Sequence, residues 1–400
     1  MMARMKKSVH DLRSSDLSGK TVFLRADLNV PLKDGLILDD SRITEALPTI
    51  QYLKKSGAKL VLASHLARPN GEVVDALRLT PIQKRLSELL DMDVQKTDDC
   101  IGESVKQSVS SLQSGDVLLL ENIRFYKEET ENDTQFAKQL ADLADIFVLD
   151  AFGTAHRAHA STVGIASFLP AYSGLLLTKE LTFLSTAIKE PKRPFMAIVG
   201  GSKVSTKLPV LQSLLDVVDF LYIGGGMVFT FMKAQGFSVG TSLVESEHIE
   251  TAARFLEHAA KSKTEVLFPH DHLIADSFSN DALTSVVDND SFPDTMMGLD
   301  IGPKSLEFLC HRLQDMKMVL WNGPVGVFEL SNFAKGTMGI AEALASNDCI
   351  SIVGGGDSVS AIKQAGVSDG ITHISTGGGA SLELLEGKDL PGISVLLDKE

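Results

Sequence analysis

The feature that most constrains the fold is a repeated order of elements: a short aliphatic run, a polar or glycine-rich motif, then a segment of helix length. The runs show no alternation of polar and apolar residues, which indicates strands buried on both faces of parallel sheets. The predicted strands cover residues 21–24, 59–63, 116–120, 146–149, 195–199, 220–223, 265–268, 318–321, 349–353 and 372–374. We therefore predict an α/β fold with parallel β-sheets flanked by helices.

Two domains are expected because 400 residues exceed the length of most single domains. A helix predicted from Leu176 to Lys189, closed by Pro191 and Pro194, lies near the middle of the chain. We interpret it as a connector. This gives an N-terminal domain over residues 1–174, an interdomain helix over 175–190 and a C-terminal domain over 191–391.

A further helix is predicted after the first strand. Asp40 or Ser41 can cap it, apolar residues follow at helical spacing, and Gly57 ends it. Because Pro48 lies inside this segment, we expect a kink or a late start there.

Composition narrows the class of partner. The formal net charge of −14 argues against nucleic acids and anionic membranes as partners. The sequence has no apolar run of membrane-spanning length, no apolar stretch of a secretory signal near its start, and only three widely separated cysteines. A cytoplasmic protein is expected. Residues 1–174 carry a net charge of −3, against −11 for the rest, which makes the first half the better place for an anion site.

Each predicted strand end in the first half carries an arginine. The motifs are Arg25-Ala-Asp27-Leu-Asn29, Ser64-His65-Leu-Ala-Arg68, Glu121-Asn122-Ile-Arg124 and the run Asp150 to His159 that contains Arg157, with Arg42 at a nearby helix start. Any one of these arginines alone is most simply a surface residue paired with a carboxylate. Together they predict a pocket for a small, multiply charged anion, because ligands of open α/β sheets bind beyond the carboxyl ends of the strands and guanidinium groups suit phosphate and carboxylate.

Two polar residues and a histidine pair complete this edge. Asp27 and Asn29 can hydrogen-bond hydroxyl groups of the ligand. His156 and His159 have no cysteine partner nearby and are too few for four-coordinate zinc, so a structural role or a place beside Arg157 is the better interpretation.

In the second half of the chain, the predicted strands are followed by glycine-containing motifs. The motifs are Gly200-Gly201-Ser202-Lys203, Gly224-Gly225-Gly226, Asn322-Gly323-Pro324, Gly354-Gly355-Gly356-Asp357-Ser358 and Gly377-Gly378-Gly379. Glycine lets backbone N–H groups approach a ligand, and a helix N-terminus favours negative charge. A tight turn explains one such loop equally well, but three triple-glycine loops in one half predict a nucleotide pocket.

Charged residues flank these loops. Lys203 and Lys207 lie four residues apart and could reach a terminal phosphate, with a solvated helix face as the alternative. Asp357 could hold Mg²⁺ bound to nucleotide phosphates, with helix capping as the alternative. The P-loop motif, the G-x-G-x-x-G fingerprint and the G-x-S-x-G motif are all absent from the sequence, which argues against those three classes of site.

The chain resembles the phosphoglycerate kinase family over nearly its whole length, from about Val22 to Gly392. The matching stretches are the strand-end motifs quoted above, extended to Pro31, Pro69, Phe125, Lys207 and Thr230, together with Trp321 to Glu329 and Ser375 to Gly387. The resemblance implies two Rossmann-like domains joined by an interdomain helix and a hinge. It also implies that the tail, residues 392–400, packs back onto the N-terminal domain.

The resemblance further implies where ligands bind. In the N-terminal domain the contacts to 3-phosphoglycerate would be Asp27, Asn29, Arg42, His65, Arg68, Arg124 and Arg157. In the C-terminal domain the contacts to ATP or ADP would be Lys203, Lys207, Gly225, Asn322, Pro324, Val327, Glu329, Gly354, Gly355, Gly356, Asp357 and Ser358. Arg42, Lys203, Gly355 and Gly378 would act on the transferring group, and Asp357 would hold Mg²⁺. Small departures from the family pattern, Ala67, Asn70 and Ser202, remove no charged contact, but Ala67 puts the geometry of its loop in question.

The reaction implied is reversible phosphoryl transfer between ATP and the carboxylate of 3-phosphoglycerate, which gives ADP and 1,3-bisphosphoglycerate. An ionised carboxylate needs no general base, so catalysis would rest on hinge closure, positioning and electrostatic stabilisation. A monomer is expected. Another carboxylate kinase, a nucleotide-dependent binding protein and, more remotely, a dehydrogenase remain alternatives, which assays of turnover on different acids and of NAD(H) absorbance would separate.

Overall fold

The computed structural model describes residues 5–399, which divide into two compact units. One unit contains the described residues up to Thr182 together with those from Asp389 onward, and the other contains residues from Phe183 to Lys388. The prediction of an α/β fold with parallel sheets flanked by helices is confirmed. No helix among residues 5–399 is long and apolar enough to cross a membrane.

The first unit is built on a six-stranded parallel sheet in the order β5-β6-β4-β1-β7-β8. Its strands are β1 (Thr21–Ala26), β4 (Lys59–Ala63), β5 (Gln95–Lys96), β6 (Val117–Leu119), β7 (Ile146–Asp150) and β8 (Ala171–Ser173), with a small hairpin of β2 (Leu32–Lys33) and β3 (Leu36–Ile37). The helices are α1 (Ser14–Leu17), α2 (Ser41–Lys55), α3 (Thr80–Leu90), α4 (Glu103–Ser111), α5 (Lys127–Thr130) and α6 (Thr134–Ala141). α15 (Pro391–Ser394), near the end of the chain, also belongs to this unit.

The central strands are buried from end to end because both of their faces are covered. Val22 and Leu24 of β1 pack with Leu60 and Leu62 of β4 in one apolar core. The strand order reverses beside β1, so the loops after β1, β4 and β7 leave the sheet at one edge, which is the position where open α/β sheets bind ligands.

The second unit repeats this plan with a six-stranded parallel sheet in the order β11-β10-β9-β15-β16-β17. Its strands are β9 (Phe195–Val199), β10 (Phe220–Ile223), β11 (Glu265–Leu267), β15 (Met318–Asn322), β16 (Ile350–Gly354) and β17 (His373–Ile374). The helices are α8 (Val204–Leu214), α9 (Val228–Ala234), α10 (Ile249–Ala259), α11 (Pro303–Gln314), α12 (Lys335–Ala345), α13 (Gly356–Ala365) and α14 (Gly379–Leu385), and α7 (Leu175–Lys189) divides between the two units.

A three-stranded antiparallel sheet inserted in the second unit was not predicted. It consists of β12 (Asp271–Ala275), β13 (Thr284–Asp288) and β14 (Met297–Ile301). β12 begins with a charged and a polar residue, and β13 is almost wholly exposed, so neither carries the continuous apolar signal of a buried parallel strand. Phe229 and Phe292 pack against this sheet in a small apolar core of their own.

The helix at residues 41–55 differs from its prediction in two respects. The helix begins at Ser41 and continues through Pro48, so the expected late start is wrong. Asp40 occupies the cap position without a side-chain capping bond, and the backbone N–H of Ser41 donates instead to Oδ1 of Asp39, at 2.9 Å. The Asp40 carboxylate bonds Arg85 of α3.

The first turn of α7 is held by two acceptors of the first unit. The backbone N–H of Leu175 donates to Oγ1 of Thr49 on α2, at 2.9 Å, and that of Leu177 donates to Oδ1 of Asp150, at 3.0 Å. Burial raises the pKa of Asp150 to about 6, although its hydrogen bonds act against the rise. These bonds satisfy N–H groups that a helix start leaves without intrahelical partners.

Candidate functional site

The first candidate site lies at the carboxyl edge of the sheet in the first unit. Arg25 of β1 is in register with Ala63 of β4 and with Leu149 of β7, so the loops that follow these strands begin side by side. A cleft of about 360 Å³ opens at this edge. It is lined by Arg68, Asn70, Gly71, Arg124, Tyr126, Thr130, Arg157 and His159.

Three of the predicted acid-binding arginines therefore share one cleft. Arg124 is the most buried of them, with 7% of its surface exposed, and its Nη1 donates to the Ala67 carbonyl oxygen at 2.8 Å. Its Nε is buried and has no hydrogen-bond partner among the described residues. Burial, reinforced by the charges of Arg25 and Arg157, lowers the pKa of Arg124 to about 10. The guanidinium is still charged at pH 7, and a bound anion would supply the partner that Nε lacks.

The other predicted acid-site residues do not line this cleft. Asp27 and Arg42 form an ion pair with an N–O distance of 3.0 Å, and the Arg42 side chain is 38% exposed. Oδ1 of Asn29 accepts a hydrogen bond from the Ala67 N–H at 2.8 Å. His65 is buried and bonds Arg25.

Arg25 is fully buried and determines the protonation of His65. Its Nη2 lies 3.0 Å from Nδ1 of His65, and its Nε donates to Oγ of Ser161 at 2.9 Å. Because a guanidinium can only donate, Nδ1 of His65 must accept, and the ring proton is on Nε2. Burial and the charges of Arg25 and Arg124 hold the pKa of His65 well below its usual range, so His65 is neutral at pH 7.

Arg25 was predicted as a strand-end arginine, but Glu129 and Ser161, which are connected to it by hydrogen bonds, were not predicted. Glu129 and Ser161 are completely buried, and the Ser161 N–H donates to Glu129 Oε2 at 2.9 Å. Glu129 lies in an acidic segment that is typical of a solvent-exposed helix, so the sequence gives no sign of its burial.

Ala67 adopts a backbone conformation that favours glycine, with φ of +54°. Its N–H binds Asn29 and its carbonyl oxygen binds Arg124, so the peptide groups of this residue link two predicted site residues. The left-handed conformation costs a non-glycine residue roughly 1–2 kcal/mol.

We expect Ala67→Gly to raise the free energy of unfolding by about 0.5–1 kcal/mol, because relief of the strained φ outweighs the greater freedom of glycine in the unfolded chain. Calorimetry of the purified variant measures the change. Ala46→Gly, inside α2, is the matched control and is expected to lower stability by at least about 1 kcal/mol. A loss of stability in both variants would contradict the strain at Ala67.

The second candidate site lies at the corresponding edge of the second sheet. Val199 of β9 is in register with Ile223 of β10 and with Asn322 of β15, and Asn322 is in register with Gly354 of β16. The glycine loops therefore leave the sheet side by side.

Close packing explains some of these glycines. A Cβ atom on Gly200 would lie 2.1 Å from the Pro324 carbonyl oxygen, and one on Gly225 would lie 2.5 Å from the Gly201 nitrogen. These loops need glycine because their backbones touch each other. Gly356, in contrast, has ordinary φ and open space around its Cβ position, so neither packing nor strain accounts for it. It begins α13, where a bound anion would meet the backbone N–H groups of the first turn.

A cleft of about 650 Å³ opens beside these loops. Of the predicted nucleotide contacts, it is lined by Gly225, Pro324, Val327, Glu329 and Asp357. Much of the remaining lining is apolar, including Phe229, Leu243, Phe278 and Leu299. These apolar residues were not predicted, because they belong to α9, to the inserted antiparallel sheet and to the segments around it.

The remaining predicted contacts lie outside the lining of this cleft. They are Lys203, Lys207, Asn322, Gly354, Gly355, Gly356 and Ser358, and Gly378, which was predicted to act on the transferring group, also lies outside the lining. Nζ of Lys207 donates to Oδ1 of Asn322 at 2.7 Å, and burial lowers the pKa of this lysine. Oγ of Ser358 accepts from the Gly323 N–H at 2.6 Å, so Ser358 supports the neighbouring loop.

Lys203 and Asp357 are exposed residues at two helix starts. Lys203 is the N-cap of α8, so only Lys207 of the pair lies within the helix. Asp357 follows Gly356 in the first turn of α13, and Gly355, not Asp357, is the N-cap. The capping alternative for Asp357 is therefore wrong. No group of three His, Cys, Asp or Glu side chains among residues 5–399 could hold a metal ion, so a metal here would rely on one carboxylate and on ligand atoms.

The comparisons with known proteins point to one family. A family model described as phosphoglycerate kinase matches residues 11–388. A protein of Dictyoglomus turgidum named phosphoglycerate kinase is 54% identical over 395 residues, which cover 98% of this chain and all of the relative. A protein of Volvox carteri named phosphoglycerate kinase, chloroplastic, is 56% identical over 99% of this chain and 87% of the relative.

A solved structure agrees with these matches. The structure of phosphoglycerate kinase from Coxiella burnetii superposes with a TM-score of 0.89 at 42% sequence identity, and the match covers 98% of each chain. The family resemblance that the strand-end motifs indicated is thus confirmed.

Proposed function

We propose that this chain, which belongs to the phosphoglycerate kinase family, reversibly transfers a phosphoryl group between ATP and the carboxylate of 3-phosphoglycerate, giving ADP and 1,3-bisphosphoglycerate. The observation that carries the choice of acid is the cleft in which Arg68, Arg124 and Arg157 converge. An acid with a phosphate at one end and a carboxylate at the other presents two anionic groups, which suits several guanidinium donors in one small space.

The chemistry needs no proton acceptor, because the attacking carboxylate is ionised at pH 7. The histidines near the cleft support this mechanism. Burial, together with the charges of Arg124 and Arg25, lowers the pKa of His159 to about 4, and His65 is neutral as well. Bases this weak remove protons poorly at neutral pH.

The main barrier is then the approach of two anions. We assign Arg42, Lys203 and the backbone N–H groups of the loops at Gly355 and Gly378 to the transferring phosphoryl group, where positive charge is worth most in the transition state. Asp27, Asn29 and His65 would complete the acid site, and Lys207 would contact the nucleotide phosphates.

Mg²⁺ fits the residues at the second site. Asp357 is an exposed carboxylate on the wall of the larger cleft, and Mg²⁺ commonly takes one protein carboxylate together with phosphate oxygens and water. The bound ion would neutralise charge on the nucleotide phosphates. Glu329, Val327 and Pro324 would contact the nucleoside in the same cleft.

Other features of the proposal follow from the reaction. The acid and the nucleotide must meet in line and away from water, so we propose hinge bending as the movement that unites them. A monomer in the cytoplasm remains our prediction, although one relative is named chloroplastic.

The proposal is tested by measuring ADP release from MgATP in the presence of 3-phosphoglycerate, acetate, aspartate or glutamate. Turnover is expected only with 3-phosphoglycerate. Turnover on another acid instead would reassign the chain to a different carboxylate kinase activity, and no turnover on any acid would favour a binding protein.

We expect Arg42→Ala to lower kcat at least about a hundredfold with little change in ATP affinity, because a transition-state contact is lost. Steady-state kinetics and nucleotide titration give the two quantities. Arg85→Ala is the matched control, since Arg85 is also an arginine paired with a carboxylate but lies on α3. Near-normal kcat in Arg42→Ala would reject the assigned role.

We expect Asp357→Ala to weaken ADP binding only when Mg²⁺ is present, because the carboxylate is proposed to act through the ion. Calorimetric titration with MgADP, and with ADP in EDTA, separates the two conditions. Asp369→Ala changes an exposed aspartate beyond the other end of α13 and should affect neither titration. Equal weakening in EDTA would show that Asp357 does not act through the metal.

A further inference from the structure

A buried carboxylate interacts with the charges of Arg25 and of Arg124, one of the arginines that line the smaller cleft. Glu129 belongs to α5, which separates the loop that carries Arg124 from α6, and none of its surface is exposed. A buried acid is costly unless it is paired or hydrogen-bonded, so its place here calls for specific partners.

Both carboxylate oxygens of Glu129 accept hydrogen bonds from one residue. The Ser161 N–H donates to Oε2 at 2.9 Å, and the Ser161 hydroxyl donates to Oε1 at 2.6 Å. The backbone carbonyl oxygen of Glu129 also accepts from the Ala160 N–H at 2.9 Å. Glu129 thereby anchors the loop that follows Arg157.

The direction of these bonds is fixed by Arg25. Its Nε donates to Oγ of Ser161, and because a guanidinium cannot accept, the single hydroxyl proton of Ser161 is left to point at Glu129. The chain of bonds runs from Arg25 through Ser161 to Glu129. With both of its oxygens accepting, Glu129 fits as the carboxylate rather than as the neutral acid.

The charge of Glu129 is opposed by arginines rather than by histidine. Nδ1 of His159 lies 3.7 Å from Oε1, beyond hydrogen-bond distance, and the lowered pKa of His159 leaves this ring neutral at pH 7. Burial raises the pKa of Glu129, while the charge of Arg25 and the bonds from Ser161 act against that rise. Arg124 also interacts with the charge of Glu129, and its Nε has no hydrogen-bond partner among the described residues.

We propose that Glu129 is a positioning residue and the internal counter-charge of the anion cleft: it orients Arg25 and the Arg157 loop, and it limits how tightly the cleft holds an anion. The identity of the natural ligand rests on the proposed function, but the effect of the charge does not. Without Glu129 the cleft would carry uncompensated positive charge, bind anions more tightly and release them more slowly.

The test is Glu129→Gln, which keeps the size of the side chain and removes its charge. Inorganic sulfate is the probe, and its affinity is measured by calorimetric titration and by the sulfate-dependent rise in melting temperature. We expect sulfate to bind at least about fivefold more tightly than to the unmodified chain, with a similar fall in KM for 3-phosphoglycerate and no change in KM for MgATP.

Ser161→Ala is the matched control, because it breaks the chain of hydrogen bonds while Glu129 keeps its charge. It should not tighten sulfate binding. A role limited to packing predicts weaker anion binding in both variants, so unchanged or weaker sulfate binding by Glu129→Gln would overturn the proposal.

A second variant covers the case in which Glu129→Gln folds poorly. Adding Arg124→Gln, which removes the guanidinium of the same cleft whose charge acts on Glu129, restores the net charge. If Glu129→Gln lowers the melting temperature, the double variant should recover most of that loss. No recovery would reject the proposal that Glu129 balances the positive charge of the cleft. Sulfate binding requires no turnover, so this result is independent of whether 3-phosphoglycerate is the substrate.

Discussion

The hydrogen bonds of the fully buried Arg25 guanidinium are the interactions on which the strand-end loops of the first unit depend. It stands at the end of the central strand, donates to His65 on one neighbouring loop and to Ser161 on another, and so joins the ends of β1, β4 and β7. Because a guanidinium group can only donate hydrogen bonds, each atom that it contacts must act as an acceptor. One residue therefore fixes the tautomer of His65, the orientation of the Ser161 hydroxyl and the charge state that suits Glu129.

In the second unit the strand-end loops are held together by close contacts between backbones rather than by hydrogen bonds from a buried side chain. Gly200, Gly225 and Gly323 let three neighbouring loops touch at distances that a Cβ atom would prevent. This packing brings the loops together and opens the larger cleft beside them. Gly356 is different, because no atom of the fold lies within 4 Å of the position of its Cβ, which is the space that the proposed nucleotide phosphates would need. The glycine-rich motifs thus contain glycines that loop packing requires and at least one, Gly356, that it does not require. The sequence alone does not distinguish the two kinds.

The sequence predicted the elements whose burial leaves a continuous apolar pattern. All ten predicted strands correspond to strands of the two parallel sheets. The strand-end motifs predicted a shared pocket for the arginines, and Arg68, Arg124 and Arg157 line one cleft. The short edge strands β5 and β8 and the antiparallel sheet escaped, because two or three residues carry little pattern and an exposed strand such as β13 has no apolar face to show. Leu243 and Phe278 were missed with that sheet. Glu129 was missed for the opposite reason, since a charged residue in a charged segment gives no sign that tertiary structure buries it.

The anchoring of α7 has a consequence for how this long helix can move. Its first turn is bonded to Asp150, which ends the strand leading to Arg157, and to Thr49, which shares α2 with Arg42. Residues Leu175 to Leu177 are therefore fixed to the first unit, at the end of β7 and on α2. These hydrogen bonds resist bending of the first turn, so we expect any bending of α7 to occur beyond Leu177.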